Sequence, residues 1–405
     1  MSKKRVSWCI GLILVAMLFM LPSGSWGADK KEILLGSPMP TTGILSEAGL
    51  EGVWAYEQAI KDVNEKGGIF VREYNKKLPV RLIVADAESD PGKAAVAVER
   101  LVKVNKVDLL LSSFTANLVM PTSVAAEKLK TYYHASTCFP VLWRPQNFKW
   151  STVMFFELAD GAEVPYKTLD TVNAAERPKN LALLMEDTTD GRGFMGGLQE
   201  SAKKYKYPIA LAEPMAVGAK DYSAQILKLK SKGIDGVIIF GAGGDCITFV
   251  RQIKEAGLNL KYLCGYKGTY QTDFWNALGK DANYILADGF WAEDWPFPRA
   301  KELGERYYKQ YNKRSVSIGE FYALCQTLFA AIERAGTLNG AKVRDAVMTT
   351  PFKGTVMGDL KYRPDGTCVH DLGNFQWQDG VLKTVYPFDR TDGYKLKMAP
   401  PWDKR

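Results

Sequence analysis

Ile33-Leu-Leu-Gly-Ser-Pro-Met-Pro40, then Thr41-Thr-Gly-Ile-Leu-Ser46, then the run from Glu47 to Lys66 closed by Gly67-Gly68, read as one strand, one loop and one helix. Apolar residues at Leu50, Val53, Tyr56, Ile60 and Val63 recur every three or four positions, which predicts a helix with one stripe against a sheet. Ser46 is placed to cap its first turn, and Gly67 and Gly68 supply the left-handed residues at which helices stop. A strand that reaches a helix N-terminus through a Gly-containing turn leaves backbone N–H groups at the strand's C-terminal edge, where open α/β sheets bind small ligands. The loop from Thr41 to Ser46 is therefore either a ligand-facing loop or an ordinary connection.

The same unit recurs outward from this stretch. Pro79 to Ala85 reads as a buried strand, Pro91 to Asn105 as a helix, and Val107 to Leu111 as a strand ending in Ser112-Ser113-Phe114-Thr115. A helix from Met120 to Leu129 and a short strand, Thr131 to His134, follow. After a pause between Trp150 and Asp160 the alternation restarts, with strands at Asn180 to Met185, Ile209 to Ala212, Ile234 to Phe240 and Leu260 to Cys264, and helices at Gly193 to Lys204, Tyr222 to Lys232 and Cys246 to Ala256. Lys106-Val-Asp-Leu-Leu-Leu111 before Ser-Ser and Gly233-Ile-Asp-Gly-Val-Ile-Ile239 before Phe-Gly-Ala-Gly form a weak internal repeat.

With 405 residues the chain exceeds one compact core. The reading is an α/β protein of two doubly wound parallel-sheet lobes joined by a three-segment hinge, with crossings near Phe155, Trp291 and Met357. Residues 28–156 with 292–355 form the N-terminal lobe, and 157–291 with 356–405 the C-terminal lobe. Gly354 to Tyr362 and Phe375 to Gly380 alternate like antiparallel ribbon, with turns at Pro364-Asp-Gly366 and Asp379-Gly380.

Lys3-Lys4-Arg5 followed by an apolar run to Leu21, Pro22 and the small residues Ser25 and Gly27 reads as a cleavable signal peptide over residues 1–27, which implies export to the periplasm. Its loss takes the formal charge from +8 to about +5. The remaining basic residues are interspersed with acids, as in Lys301-Glu-Leu-Gly-Glu-Arg306, which is a solvated surface and not a nucleic-acid patch. Five cysteines remain, an odd number, and Cys246 with Cys264 is the pair best placed for a bridge.

Gly191-Arg-Gly193-Phe-Met-Gly196 matches the dinucleotide fingerprint, but Asp187-Thr-Thr-Asp190 separates it from the strand whose end the pyrophosphate turn requires. With only His134 and His370, and without Cys-x-x-Cys, His-Glu-x-x-His or Gly-x-Ser-x-Gly spacing, the chain lacks the parts of a zinc site or a Ser-His-Asp triad. No enzyme, metal or cofactor is expected. His134 reads as a strand-end residue near a cleft, and Glu293-Asp294 as a hinge or rim pair. The hydroxyls and N–H groups of Ser112-Ser113-Phe114-Thr115, at a strand's C-terminal end, either converge on a ligand carboxylate or amide, with Phe114 as a wall and Gly241-Ala-Gly-Gly244 opposite, or merely cap the helix before Pro121.

At this point the chain resembles the periplasmic substrate-binding proteins of ABC importers, in particular the branched-chain amino acid (leucine/isoleucine/valine) receptor group with its type I two-lobe fold. The resemblance is carried by Gly52 to Ile69, Asp90-Pro-Gly-Lys-Ala-Ala95, Ser112-Ser113, Asp221-Tyr-Ser223 and Gly354-Thr-Val-Met-Gly-Asp-Leu360. It implies a monomeric, non-catalytic receptor that closes on a small ligand and presents it to a membrane permease. It also implies that Ser112 or Ser113 with Ala135, Ser136 and Thr137 holds a ligand carboxylate, and that Tyr322 borders the side-chain pocket. Four positions depart from the group's pattern: Leu45 replaces an aromatic, Asp190 and Ala242-Gly243 replace tyrosines, and Tyr266-Lys267 stands where an acid pairs with the ligand's ammonium. A lysine there repels an ammonium, so the expected ligand is a small carboxylate-bearing or aromatic molecule. The second reading is the ligand-sensing lobe pair of a signalling system, such as an amide sensor.

Overall fold

A computed structural model describes residues 30–405, so the signal peptide expected over residues 1–27 lies outside the described residues. The opening strand is Ile33–Ser37 and the helix after it Ser46–Asn64, with Gly67 and Gly68 at φ +88° and +90° as its stop. Two details differ from the periodicity reading. Ser46 is the first helical residue and not a cap; the turn before it is held by Ser89, whose Oγ accepts from the Leu45 N–H at 3.1 Å and donates to the Thr42 carbonyl at 2.7 Å. Leu50 is 54% exposed, and the buried face instead runs through Ala48, Gly52, Ala55, Tyr56 and Ala59. Glycines rotate the stripe because they let the helix lie against backbone.

A Cβ on Gly49 would stand 1.9 Å from the Pro40 carbonyl oxygen. Gly49→Ala is therefore expected to cost at least about 2 kcal/mol in chemical denaturation, since the contact is with backbone and not with a flexible side chain. Gly196→Ala, on an exposed helical position with nothing within 4 Å of the added carbon, is the control and should gain about 0.5–1 kcal/mol.

Six parallel strands form the first sheet, in the spatial order Thr367–Cys368, Ser151–Met154, Tyr133–Ser136, Leu109–Leu111, Ile33–Ser37 and Val80–Val84. The second sheet has seven, ordered Val381–Tyr386, Gly373–Gln378, Leu286–Gly289, Tyr262–Lys267, Gly236–Gly241, Leu181–Glu186 and Ile209–Met215. Its last five are parallel, while Gly373–Gln378 and Val381–Tyr386 form the expected antiparallel ribbon on one edge. The chain is thus α/β with two doubly wound sheets, as the alternation implied.

Three connections pass between the sheets: Phe155-Phe156, the segment after Gly289, and the segment from Val369 to Leu372. Thr367–Cys368 pairs with Val153 and Met154 of the first sheet, beyond the expected bound at residue 355. On this pairing we place the third crossing after Cys368. The short strand is easily missed because only two residues pair. One hydrophobic cluster runs from Leu35 and Leu109 through Phe139, Phe155, Phe156 and Phe290 to Phe194 and Tyr266. Cys246 and Cys264 are free thiols. Cys264 packs with Ile238 and Phe240, and Cys246 with Val237 and Ile239, which alternate to opposite faces of the second sheet. The pair best placed for a bridge therefore does not form one. Among the described residues no helix is long and apolar enough to cross a membrane.

Candidate functional site

Strands of both sheets end at two adjoining cavities that share Phe114 and Lys267. The larger, of about 230 Å³, is walled by Leu45, Glu47, Gly243, Gln271 and Asp273 as well as the shared pair. The smaller, of about 30 Å³, is a narrow recess between Phe139, Phe155, Phe156, Phe240 and Phe290, with Thr115, Thr137, Asp190 and Asp288 as its polar wall. It is an aromatic slot with charge at one end.

Lys267 closes the strand Tyr262–Lys267 and is buried, its ammonium paired with the equally buried Glu186 and 5.6 Å from the centroid of the Phe240 ring. Its N–H donates to Asp288 Oδ1 at 2.8 Å. An ammonium has three donors, and Glu186 occupies one side of it. The Asp288 carboxyl is pushed up to about 7 by burial, against the pull of the Lys267 N–H. Asp190 is pushed up to about 6 by burial, which outweighs the attraction of Lys267. Its two oxygens accept, at 3.2 Å each, from the N–H groups of Ala116 and Asn117, in the first turn of the helix Ala116–Leu129. A carboxylate of the second half thus satisfies a helix N-terminus of the first.

Three residues on the polar side of the recess have left-handed φ although none is glycine: Thr115 at +66°, Thr137 at +54° and Lys267 at +72°. Such conformations cost free energy, more so for β-branched threonine, and concentrate where side chains serve a site.

Of the residues expected at the site, Leu45, Phe114, Gly243 and Lys267 line the larger cavity, and Thr137 and Asp190, with Phe114 and Lys267, line the recess. The others are elsewhere. Ser112 and Ser136 bind one another, Ser112 Oγ donating to the Ser136 carbonyl at 3.1 Å and accepting its N–H at 2.8 Å. The Ser113 N–H donates to Tyr133 Oη at 2.8 Å, and Ala135 is fully buried in its strand, so these four stitch the first sheet and reach neither cavity wall. Tyr266 faces the core on Phe194 and donates to the Gly161 carbonyl at 3.1 Å. Tyr322 donates to Asp62 Oδ2 at 2.5 Å and lines a separate cavity with Arg299.

Sequence reasoning missed Phe139, Phe156, Phe240, Asp288, Phe290 and Gln271, and it read Thr115 only as the end of the Ser112-Ser113 motif and Phe155 only as a crossing. Most of them share one signal, a position at or just past the C-terminal end of a parallel strand. Two helices also start earlier than their apolar pattern, Thr189–Tyr205 and Gly243–Glu255. The first is capped by Thr188, whose Oγ1 accepts from the Gly191 N–H at 3.2 Å, so Gly191 to Gly196 lies inside the helix and forms no pyrophosphate turn. His134 is neutral, lowered to about 3 by burial, and bound to Tyr132 and Thr327 at 2.8 Å.

The profile of a family described as Periplasmic binding protein matches residues 32–381. A Leu/Ile/Val-binding protein homolog 1 of Brucella abortus is 26% identical over 351 residues, 84% of this chain and 88% of that protein. Among solved structures, the branched-chain amino acid transporter substrate-binding protein of Streptococcus pneumoniae in complex with isoleucine superposes with a TM-score of 0.76 at 19% identity, over 87% of this chain and 98% of that one. An ABC-transporter solute-binding protein of Rhodopseudomonas palustris in complex with 3,4-dihydroxybenzoic acid gives 0.74 at 17% identity, over 93% of this chain and 100% of that one.

Proposed function

The chain belongs to the periplasmic binding protein family, and from that premise we propose that it is a non-catalytic receptor for a small aromatic or carboxylate-bearing ligand. The ligand is taken between the two sheets and handed to an ABC-importer permease, after export to the periplasm. The observation that carries this reading is the phenylalanine-walled recess with the buried Lys267 ammonium at its junction with the larger cavity. An aromatic ring lying in the larger cavity, with its edge at the phenylalanine mouth of the slot, gains edge and face contacts, and the unpaired side of the ammonium meets its carboxylate. The ligand-facing residues are then Leu45, Phe114, Thr115, Thr137, Asp190, Gly243 and Lys267. Two structural neighbours, one holding isoleucine and one a dihydroxybenzoic acid, show the fold with ligands on either side of this choice.

A thermal-shift panel on the mature protein tests it, with benzoate, 3,4-dihydroxybenzoate, succinate and leucine. An aromatic acid at a hundredfold excess over its Kd should stabilise the fold by about 2.7 kcal/mol. Stabilisation by leucine and none by the aromatic acids would overturn the reading.

A further inference from the structure

Gln271 is 6% exposed and borders the larger cavity. Its Nε2 donates to the Lys267 carbonyl at 2.9 Å, which fixes the amide, because the atom facing a carbonyl has to be the nitrogen. The other end, Oε1, is then held in one direction, buried and without any hydrogen-bond donor. A Cβ placed on Gly243 would lie 3.7 Å from this oxygen, so the missing side chain of Gly243 leaves open space in front of it. Gly243 and Gly244 open the helix Gly243–Glu255, whose first N–H groups have no acceptor within the helix. One cavity therefore presents an unsatisfied acceptor beside unsatisfied donors.

Glu47 and Asp273 line the same cavity, both bonded to Lys313. Acids at the wall disfavour a second anion and leave a neutral donor–acceptor group as the complement. We propose that Gln271 is a specificity-determining residue that selects ligands carrying a hydroxyl at the end away from the carboxylate. The O–H donates to Gln271 Oε1 and its oxygen accepts from the turn at Gly243-Gly244. This rests on the aromatic-acid reading and adds to it which members of that class are bound. A buried acceptor kept for one partner rejects an analogue that lacks the donor far more strongly than an apolar wall would.

Isothermal titration of 4-hydroxybenzoate and benzoate against the wild type, Gln271→Leu and Gly243→Ala tests this. The wild type should prefer the hydroxylated acid by about tenfold or more. Gln271→Leu should remove that preference, read as the ratio of the two Kd values within the variant, so that any shift of Lys267 on losing the Nε2 bond to its carbonyl acts on both acids alike. Gly243→Ala meets only ordinary contacts at 3.6 and 3.7 Å, so it keeps the fold while filling the space in front of Oε1, and it should lower the preference too. Equal affinities in the wild type, or equal losses for both acids in Gln271→Leu, would overturn the assignment alone. Failure of both acids to bind the wild type would overturn the aromatic-acid reading and this assignment with it.

Discussion

Lys267→Met is expected to lose about 3–5 kcal/mol of stability and all measurable affinity for a carboxylate ligand. The stability loss comes from the partner. Glu186 is 2% exposed, and without the ammonium its carboxylate keeps only the Thr188 hydroxyl, which donates to Oε1 at 2.8 Å. A buried charge without its counter-charge is far more costly than the pair is favourable, so Lys267→Met with Glu186→Leu should recover most of the stability. Affinity should not return, because the double variant has an apolar slot and no cation. Urea denaturation with ligand titration on the three variants separates the two effects. A loss below about 1 kcal/mol in the single variant would mean that water reaches Glu186 and that the pair is not a dry one.

The second large effect lies at the third crossing. His370 Nδ1 faces the Asp371 carbonyl at 2.9 Å and therefore carries a proton, while Nε2 stands 3.5 Å from Glu320 Oε2. Neither oxygen of the fully buried Glu320 has a hydrogen-bond partner, so a protonated Nε2 facing the carboxylate suits both groups. Burial opposes this charge, but Glu320 and the Asp371 carbonyl outweigh it, and the His370 pKa is raised above the usual 6.5. Phe155 packs edge-on against the ring, and Asp371 is itself paired with Arg390 at 2.8 Å.

A histidine with a raised folded pKa contributes stability that is complete below the unfolded value and lost as pH rises through the folded one. Stability should therefore fall as pH rises above the unfolded value of about 6.5. Glu51, Asp190 and Asp288, all pushed up by burial, tilt the curve in the same direction. Glu320→Gln removes the His370 contribution and leaves theirs, so the difference between the two curves isolates the pair. His370→Leu should cost about 3–5 kcal/mol at pH 6, since it strands Glu320, and Glu320→Gln in that background should restore most of it. Parallel wild-type and Glu320→Gln curves would show that the histidine is neutral throughout.

The parts of this molecule written in consecutive residues were legible. Gly67-Gly68 stop the opening helix, and Asp90 before Pro91 caps the next one, accepting from the Lys93 N–H at 2.8 Å. The alternation of strand and helix gave two parallel sheets because βα units pair no other way. Phe114 was read from its place just past a strand end, whereas Leu45, Asp190 and Lys267 were singled out only by the family resemblance, and all four line the two cavities. What escaped depends on pairing at a distance. Lys267 meets Glu186, 81 residues away, and Asp190 meets Ala116, 74 away. The serines at 112 and 136 were expected to serve a ligand because a hydroxyl at a strand end can face the cleft or the neighbouring strand. Only the register of Leu111 on His134 decides for the latter.

Phe155, Phe156 and Phe290 are at once connections between the sheets and walls of the recess. Phe155 and Phe156 stand with ring centroids 4.3 Å apart, and Phe155 meets Phe290 at 5.1 Å. Any rotation of one half against the other has to roll these rings over each other. On the proposed reading, a ligand seated against these rings would be a splint set directly on the joint, and its occupancy would reach the far surfaces without a relay of intervening side chains.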